Sequence, residues 1–346
     1  MLRKVRLQDF RNFDDKLLEF SEDVTVIIGP NASGKTNILE AINLLSTGKS
    51  FKARIDEEMI NYDKELARAK GLLSDKTNLE AVLTRGVITR GNLSERIARK
   101  KVLVNGVGKR HIDFAGRLKT VLFMPKDLDL VTESPSLRRK FLDSVLSQVD
   151  REYRRAALSY EKGLRRRNRL LLRIREEGIS RSHLYFWDKL LIKNGEYITQ
   201  KREELVSFIN STENLNDGKY EVNYDKSIIS ESRLLEYKIE EVAAATTLVG
   251  PHRDDIIFFK NRKDLAKYGS RGEQRMGVLW LKIAELAFVE AKTHEKPTLL
   301  LDDIFSELDH EHRKIVSEIS RNQQTVITSA DPHFVEDFKG VNKITL

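Results

Sequence analysis

An eight-residue segment, GPNASGKT at residues 29–36, constrains the fold of this chain more than any other part of its sequence. It follows a β-branched run, residues 24–28, and precedes apolar residues at helical spacing over 37–45. A strand, a Gly-rich loop and a helix in this order form the phosphate-binding loop of nucleotide-binding α/β proteins. The sequence therefore predicts an α/β fold with a nucleotide phosphate site at the start of this helix.

Each position of the loop has a predicted task. Gly29 and Gly34 let the backbone curl until its N–H groups point at the β- and γ-phosphates. Lys35 adds a cation that assists catalysis, and the Thr36 hydroxyl is a predicted ligand of Mg²⁺. The predicted cofactors are therefore ATP and Mg²⁺. The loop residues that bind them are Gly29, Pro30, Asn31, Ala32, Ser33, Gly34, Lys35 and Thr36.

A magnesium nucleotide site also needs a carboxylate at the end of a neighbouring buried strand. The run Thr298-Leu299-Leu300-Leu301 is suited to a buried parallel strand, and Asp302 and Asp303 follow it. We expect Asp302 to hold Mg²⁺ through water and Asp303 to act as the catalytic group that polarises the attacking water. The alternative is a pair of helix N-caps, since Asp is favoured there.

A second helix start, YGSRGEQR at residues 268–275, is also suited to a phosphate. Ser270 and Gly272 precede a strongly helical stretch, so that bare amides and a hydroxyl face outward. Taken alone, such a Ser-x-Gly start is as often an ordinary cap. Its position some 30 residues before Asp302 favours the phosphate role.

The organisation of the chain predicts one α/β lobe formed from both ends and a helical insertion between them. Residues 1–130 and 246–346 make the predicted nucleotide-binding lobe, and 131–245 make a helical arm or second lobe. Between Pro135 and Pro251 there is no proline, and residues 136–210 have helical spacing. Asn105-Gly106 after an apolar run indicates a tight β-hairpin.

The basic residues are concentrated in one segment. The chain of 346 residues carries a net charge of +8, and residues 138–175 alone carry +9. Such a local excess favours a polyanion as partner, here DNA. A solvated helix face and an acidic membrane surface are the alternatives. The predicted DNA contacts are Arg165, Arg166 and Arg167, with Arg96, Arg99, Lys100 and Lys101 as the alternative face.

The sequence lacks cysteines and long apolar runs, which limits the kinds of site and the cellular compartments to consider. There are no cysteines, which excludes disulfides and thiolate metal sites. No apolar run reaches the roughly 18–20 residues that span a bilayer, and the start lacks a signal-peptide apolar core. We therefore expect a cytoplasmic protein.

Several motifs in order resemble the ABC-type ATPase head, the superfamily of transporters and of the SMC and Rad50-like chromosome proteins. Within it the chain is most similar to the RecF family of bacterial recombination and repair proteins. The matching stretches are LQDFRNF (7–13), GPNASGKTN (29–37), FMPKDLDLVTESPSLRRKFLD (123–143), LVGPHRDDI (248–256), YGSRGEQR (268–275) and LLLDDIFSELD (299–309).

The resemblance implies an ATP-dependent homodimer with composite sites. Ser270 and Gly272 would cap the γ-phosphate bound by the second copy, and Arg11 and Asn12 would lie near the nucleotide. The family implies binding to DNA at gaps and single/double-strand junctions, and loading of a recombinase with the partners RecO and RecR. Ala330 stands where these heads carry a switch His, which predicts a weak ATPase that acts as a switch.

Other ABC-type heads are the alternatives. A transporter ATPase would need an aromatic residue before the loop and a Gln between the lobes, where Met124-Pro125-Lys126-Asp127 stands. An OLD-type nuclease would need a further domain, and a structural SMC protein a much longer arm. His252, in GPHRDD, is predicted to be either functional or a structural hydrogen-bonding residue.

Overall fold

The computed structural model describes residues 1–90, 93–215, 218–335, 338 and 340–346, and the chain divides into two compact units. Unit 1 comprises Met1–Asp127 and Val289–Leu346, and unit 2 comprises Leu128–Phe288. In the described ranges, no helix combines the length and the apolar character that crossing a bilayer requires.

Unit 1 contains a six-stranded antiparallel sheet, a five-stranded parallel sheet and a separate two-stranded antiparallel sheet. Its strands are β1 Leu2–Phe10, β2 Phe13–Glu19, β3 Val24–Ile28, β4 Leu66–Leu73, β5 Asn78–Thr84, β6 Val87–Arg90, β7 Leu93–Arg96, β8 Lys100–Val104, β9 Val107–Lys109, β10 Thr120–Phe123, β14 Thr298–Asp302, β15 Thr325–Ser329 and β16 Asn342–Thr345. Its helices are α1 Lys35–Thr47, α2 His111–Phe114 and α11 His310–Ser320.

The parallel sheet has the strand order β10-β14-β15-β3-β16, so the phosphate-loop strand β3 and the Asp-Asp strand β14 flank β15. The antiparallel sheet has the order β2-β1-β4-β5-β8-β9. Helix α1 shares one apolar core with strands of both sheets, through Ile38, Ile42 and Leu45. Each such buried side chain contributes about 1.5–3 kcal/mol, so the helix that starts at the phosphate loop is firmly anchored.

The hairpin predicted at Asn105-Gly106 is confirmed. Val104 pairs with Val107, and the two residues between them have φ values of +51° and +76°. Both values are positive, as a type I′ turn requires.

Unit 2 is mainly helical and also contains a small antiparallel sheet. Its elements are α3 Asp129–Thr132, α4 Pro135–Val149, α5 Arg151–Glu177, α6 Tyr185–Ser211, β11 Tyr220–Asp225, α7 Glu231–Glu236, α8 Lys238–Ala244, β12 Asp255–Lys260, β13 Lys263–Asp264, α9 Leu265–Tyr268 and α10 Arg271–Thr293, whose last five residues belong to unit 1. The long helices predicted over 136–210 are confirmed.

The boundary between the units differs from the predicted one at residue 246. Strand β12 pairs with β11 along its whole length and β13 pairs with β12. Residues 246–288 therefore lie with the helical unit rather than with the nucleotide-binding lobe. Sequence spacing does not show which earlier strand a late strand will join.

The GPHRDD segment forms part of a buried polar network in unit 2. The His252 ring Nε2 lies 3.1 Å from the Thr247 carbonyl oxygen, which can only accept, so Nε2 carries the proton. The Tyr160 hydroxyl then donates to Nδ1 at 2.9 Å. Both ring nitrogens are satisfied by the fold, which supports the structural interpretation of His252.

His252 makes the stability of unit 2 depend on pH. Burial lowers its pKa to about 4, and Arg253, Arg139 and Arg167 add to the effect. A depressed histidine pKa means that the unfolded chain binds the proton more readily, so stability is lost as pH falls below about 6.5. We expect this histidine to remove about 2 kcal/mol of unfolding free energy between pH 7 and pH 5.

Urea unfolding at the two pH values measures this loss, with tryptophan fluorescence as the probe because Trp187 and Trp280 both lie in unit 2. The variant His252→Asn retains hydrogen-bonding groups but does not titrate, so its loss should be smaller by the same amount. An equal pH dependence in both proteins would contradict the depressed pKa.

Candidate nucleotide-binding site

The phosphate loop follows β3 at the carboxyl edge of the parallel sheet. Gly34 has a φ of +104°, and a β-carbon added there would lie 2.6 Å from the Phe13 ring. Only glycine fits this position without strain. Lys35, at the first turn of α1, is buried, and its ammonium donates to the carbonyl oxygens of Gly29 and Pro30 at 2.7 and 2.9 Å. The predicted cation is thus folded over the loop that it is expected to serve.

The inside of the loop contains an unsatisfied polar atom. The Ser33 hydroxyl oxygen is buried and has no hydrogen-bond partner among the described residues. A buried polar atom without a partner is costly, and a bound ligand is one way to satisfy it. A phosphate oxygen would satisfy it, and the residues present therefore fit a nucleotide.

Thr36 and Asp302, the two predicted magnesium residues, are in direct contact. The Thr36 hydroxyl lies 2.9 and 3.0 Å from the two Asp302 carboxylate oxygens. A hydroxyl and a carboxylate are ligands that Mg²⁺ prefers. No group of three or more His, Asp or Glu residues suited to a metal occurs among the described residues. A magnesium ion here would therefore take its other ligands from nucleotide phosphates and water, which is its usual behaviour in such sites.

Asp303 is held in the left-handed conformation, with a φ of +51°. Its backbone N–H points to the carbonyl and hydroxyl oxygens of Thr328, and its carboxylate accepts from the N–H of Ala330. Burial raises the pKa of Asp303, while that N–H and the charge of Lys35 oppose the shift. The backbone of residue 330, at the position of the usual switch His, thus holds the predicted catalytic carboxylate.

Arg11 and Asn12, predicted near the nucleotide, have different surroundings. The Asn12 side-chain amide donates to the Ser33 carbonyl at 3.0 Å and so lies against the phosphate loop. The Arg11 guanidinium forms a two-point ion pair with the fully buried Glu40 of α1, at 2.7 and 2.8 Å. Its charge is therefore committed to Glu40 within the fold.

Ser270 and Glu273 form a reciprocal capping box at the start of α10. The Ser270 N–H donates to the Glu273 carboxylate at 2.8 Å, and the Glu273 N–H donates to the Ser270 hydroxyl at 3.3 Å. Gly272 is exposed, and an added β-carbon would meet nothing closer than 3.9 Å. Within this chain, Ser270 is a helix cap, and packing does not explain a glycine at 272.

The three arginines predicted to bind DNA have different roles. Arg167 is fully buried and bonded to Asp188, Thr247 and Glu241, so the prediction that it contacts DNA is wrong. Tyr160 lies about two turns before Arg167 on α5 and Leu171 about one turn after it, and both are buried. The three residues therefore share the face of the helix that points to the interior. Arg165 and Arg166 are exposed, and Arg165 pairs with Glu161.

A row of basic residues on one exposed face of α5 was not predicted from the sequence. Arg155, Lys162, Arg166, Arg169 and Arg173 follow one another at spacings of seven, four, three and four, which places them on one side of a helix. All five are exposed. The spacing was the available signal, since three adjacent arginines necessarily point in three directions.

Known proteins resemble this chain over nearly its whole length. The model of the family "RecF/RecN/SMC N terminal domain" matches residues 1–346. The chain is 34% identical to the DNA replication and repair protein RecF of Lachnoclostridium phytofermentans, over 95% of this chain and 92% of the relative. It is 33% identical to the protein of the same description from Caldanaerobacter subterraneus subsp. tengcongensis, over 97% and 95%.

Solved structures are similar over the same extent. One described as "Structure of the recombination mediator protein RecF-ATP in RecFOR pathway" has a TM-score of 0.87 and 32% identity, covering 95% of this chain and 92% of its own. An Smc head domain from Pyrococcus furiosus, with a TM-score of 0.51 and 16% identity, covers 96% and 90% and shares the fold alone. On these grounds, the chain belongs to the RecF family of DNA replication and repair proteins.

Proposed function

We propose that this protein is a DNA-binding recombination and repair ATPase in which ATP acts as a switch of dimerisation. One observation carries the nucleotide part: the Thr36 hydroxyl and the Asp302 carboxylate meet beside a phosphate loop that contains an unsatisfied hydroxyl. The loop would hold the phosphates of ATP, and Thr36 and Asp302 would hold Mg²⁺, which would supply charge neutralisation. The related structure described with ATP supports this assignment.

The dimer is proposed to have two composite sites, each with the phosphate loop of one copy and the α10 start of the other. Gly272 is exposed and unconstrained by packing, which suits close approach by another molecule. The exposed Ser270 hydroxyl accepts from the Glu273 N–H and donates to the Glu273 carboxylate, so its proton would turn from Glu273 to a phosphate oxygen when the second copy binds. Family resemblance supplies the arrangement in trans.

Turnover is proposed to be slow. The position of the usual switch His is Ala330, which offers Asp303 only a backbone N–H. A backbone amide can hold a carboxylate, but it does not provide the additional cation or general acid that a histidine would provide. Slow hydrolysis makes the ATP-bound dimer long-lived, as a timer of DNA binding requires.

DNA is proposed to lie along the basic face of α5, defined by Arg155, Lys162, Arg166, Arg169 and Arg173. Lys162, Arg166 and Arg169 form no ion pairs among the described residues, so their charges are available. From Lys162 to Arg173 the helix rises about 16 Å, the length of roughly five nucleotides at 3.4 Å each. The proposed binding to DNA at gaps and strand junctions rests on family resemblance. The same resemblance suggests RecO and RecR as partners in recombinase loading.

Reversing Arg166 and Arg169 to Glu should weaken DNA binding and flatten its salt dependence. Each lost phosphate contact removes about 0.9 from the slope of log K against log salt, so two lost contacts remove about two units. Fluorescence anisotropy with a gapped duplex at several salt concentrations measures both quantities. ATP binding should be unchanged.

The matched control reverses Lys189 and Lys193, exposed residues on α6 outside the basic segment, with the same change of charge. Equal weakening by both double variants would show that only net charge matters and would contradict a track on α5. Arg167 is left in place because its loss would leave the buried Glu241 unpaired.

The experiment that tests the proposed function as a whole is a DNA titration with and without ATP, accompanied by sedimentation velocity. We expect ATP to produce a dimer and to tighten DNA binding, and removal of Mg²⁺ with a chelator to reverse both. A protein that stays monomeric at saturating ATP would overturn the proposal.

A further inference from the structure

Thr328 lies between the two chemical parts of the nucleotide site. It is fully buried on β15, the strand between the phosphate-loop strand and the Asp-Asp strand, and is the register partner of Asp302 on one side and Ile27 on the other. Its hydroxyl donates to the Asp302 carboxylate at 2.9 Å and accepts from the Asp303 N–H at 3.0 Å. One hydroxyl therefore bonds to both members of the acidic pair.

One bond restrains the side chain of Asp302, and the other restrains the backbone of Asp303. Asp302 is nearly buried, and a buried carboxylate needs donors to keep its charge and its orientation. Asp303 has a left-handed backbone, and the bonds from its N–H to Thr328 hold that backbone in place. Left-handed conformations of non-glycine residues persist only where the surroundings impose them.

The other hydroxyls near these residues have other tasks. The Thr36 hydroxyl also reaches Asp302, but it is itself a predicted metal ligand. Thr325 and Ser329, on the same strand as Thr328, donate to the carbonyl oxygens of Ser320 and Asp331. Among the described residues, the side chains of Thr36 and Thr328 donate to Asp302, and of these two only Thr36 is a predicted metal ligand.

We propose that Thr328 is a positioning residue for ATP hydrolysis: it orients the Asp302 carboxylate toward Mg²⁺ and, through the Asp303 backbone, sets the catalytic carboxylate against the attacking water. This inference rests on the proposed magnesium-dependent ATPase. Thr328 touches neither nucleotide nor metal in this assignment and acts through the two aspartates. Residues that orient metal-binding groups in this way typically affect metal affinity or activity by about 10–100-fold when mutated.

The test compares Thr328→Val, which keeps the shape and removes the hydroxyl, with Thr328→Ser, which keeps the hydroxyl. We expect Thr328→Val to lower kcat about 10–100-fold and to raise the Mg²⁺ concentration needed for half-maximal rate, with ATP affinity little changed. Thr328→Ser should stay near wild type in both quantities. A second readout is Mn²⁺ affinity, measured by electron paramagnetic resonance with a non-hydrolysable ATP analogue bound, which should fall in Thr328→Val only.

Thr325→Val is the matched control, since Thr325 is equally buried on β15 and its hydroxyl bonds only to backbone carbonyls. It should change the melting temperature without changing the Mg²⁺ dependence. If Thr328→Val is insoluble, Thr328→Ala against Thr328→Ser isolates the same hydroxyl.

Two results would overturn the inference: wild-type kcat and metal dependence in a folded variant without the hydroxyl, or an equal shift of metal affinity in Thr325→Val. Absence of magnesium-dependent hydrolysis in the wild-type protein is a different failure, because it refutes the proposed function itself.

Discussion

Replacing Asp303 with Asn is expected to lower the rate of ATP hydrolysis by about 100-fold or more while ATP binding remains. The amide has the size of the carboxylate but cannot accept a proton from water, and general-base catalysis contributes about 10²–10⁴-fold. Lys35, Thr36 and Asp302 are untouched, so the phosphates and Mg²⁺ keep their predicted ligands. Phosphate release at saturating MgATP measures the rate, and equilibrium binding measures the affinity.

The ATP-bound dimer should then persist longer than that of the wild type, because hydrolysis no longer ends it. Glu307→Gln is the comparison, since Glu307 is close enough to raise the pKa of Asp303 electrostatically. We expect this variant to retain most of the activity. An unchanged rate in Asp303→Asn, with loss in Glu307→Gln, would transfer the role of base to Glu307.

The parts of the site that are local in sequence were predictable. The loop at residues 29–36 sits between a strand and a helix, and that pattern determines its structure almost alone. Asp302 was predictable for a related reason, since it follows a run of three leucines, a pattern typical of buried parallel strands. The contact of Asp302 with Thr36, across 266 positions, follows from the order of strands in that sheet.

Arg167 shows that the charge of a side chain alone does not predict whether it is exposed to bind DNA. The sequence contains three consecutive arginines, but the burial of one of them depends on α6 and α8, which supply Asp188 and Glu241. The buried residues of α5 recur at helical spacing, and Gly163 among them admits Leu190 of α6 at close range. Position 167 belongs to that buried stripe, and the stripe predicts that Arg167 lies in the interior.

Thr328 and the boundary at residue 246 were not predictable, because both depend on which strands become neighbours. The TVITS run predicts a buried strand, and it does not say which of its hydroxyls will face the aspartates. Likewise, the pairing of β12 with β11 places residues 246–288 with the helical unit. Tertiary neighbours, rather than local preferences, decide such features.

Ser270 is proposed to serve the ATP of a second copy, and mixing two defective variants tests this role most directly. Lys35→Ala keeps a good Ser270 surface and loses the cationic contact to ATP. Ser270→Arg binds ATP through its own loop but places a bulky side chain where the γ-phosphate of the other copy would lie. Each variant alone should sediment as a monomer with ATP.

An equimolar mixture can build one complete composite site per pair, so sedimentation velocity with MgATP should show a dimer that neither variant forms alone. Equilibrium binding should show that the Ser270→Arg monomer still holds ATP. If that monomer has lost ATP binding, or if the mixture stays monomeric while both variants are folded, Ser270 acts within its own chain and the account of a composite site is contradicted.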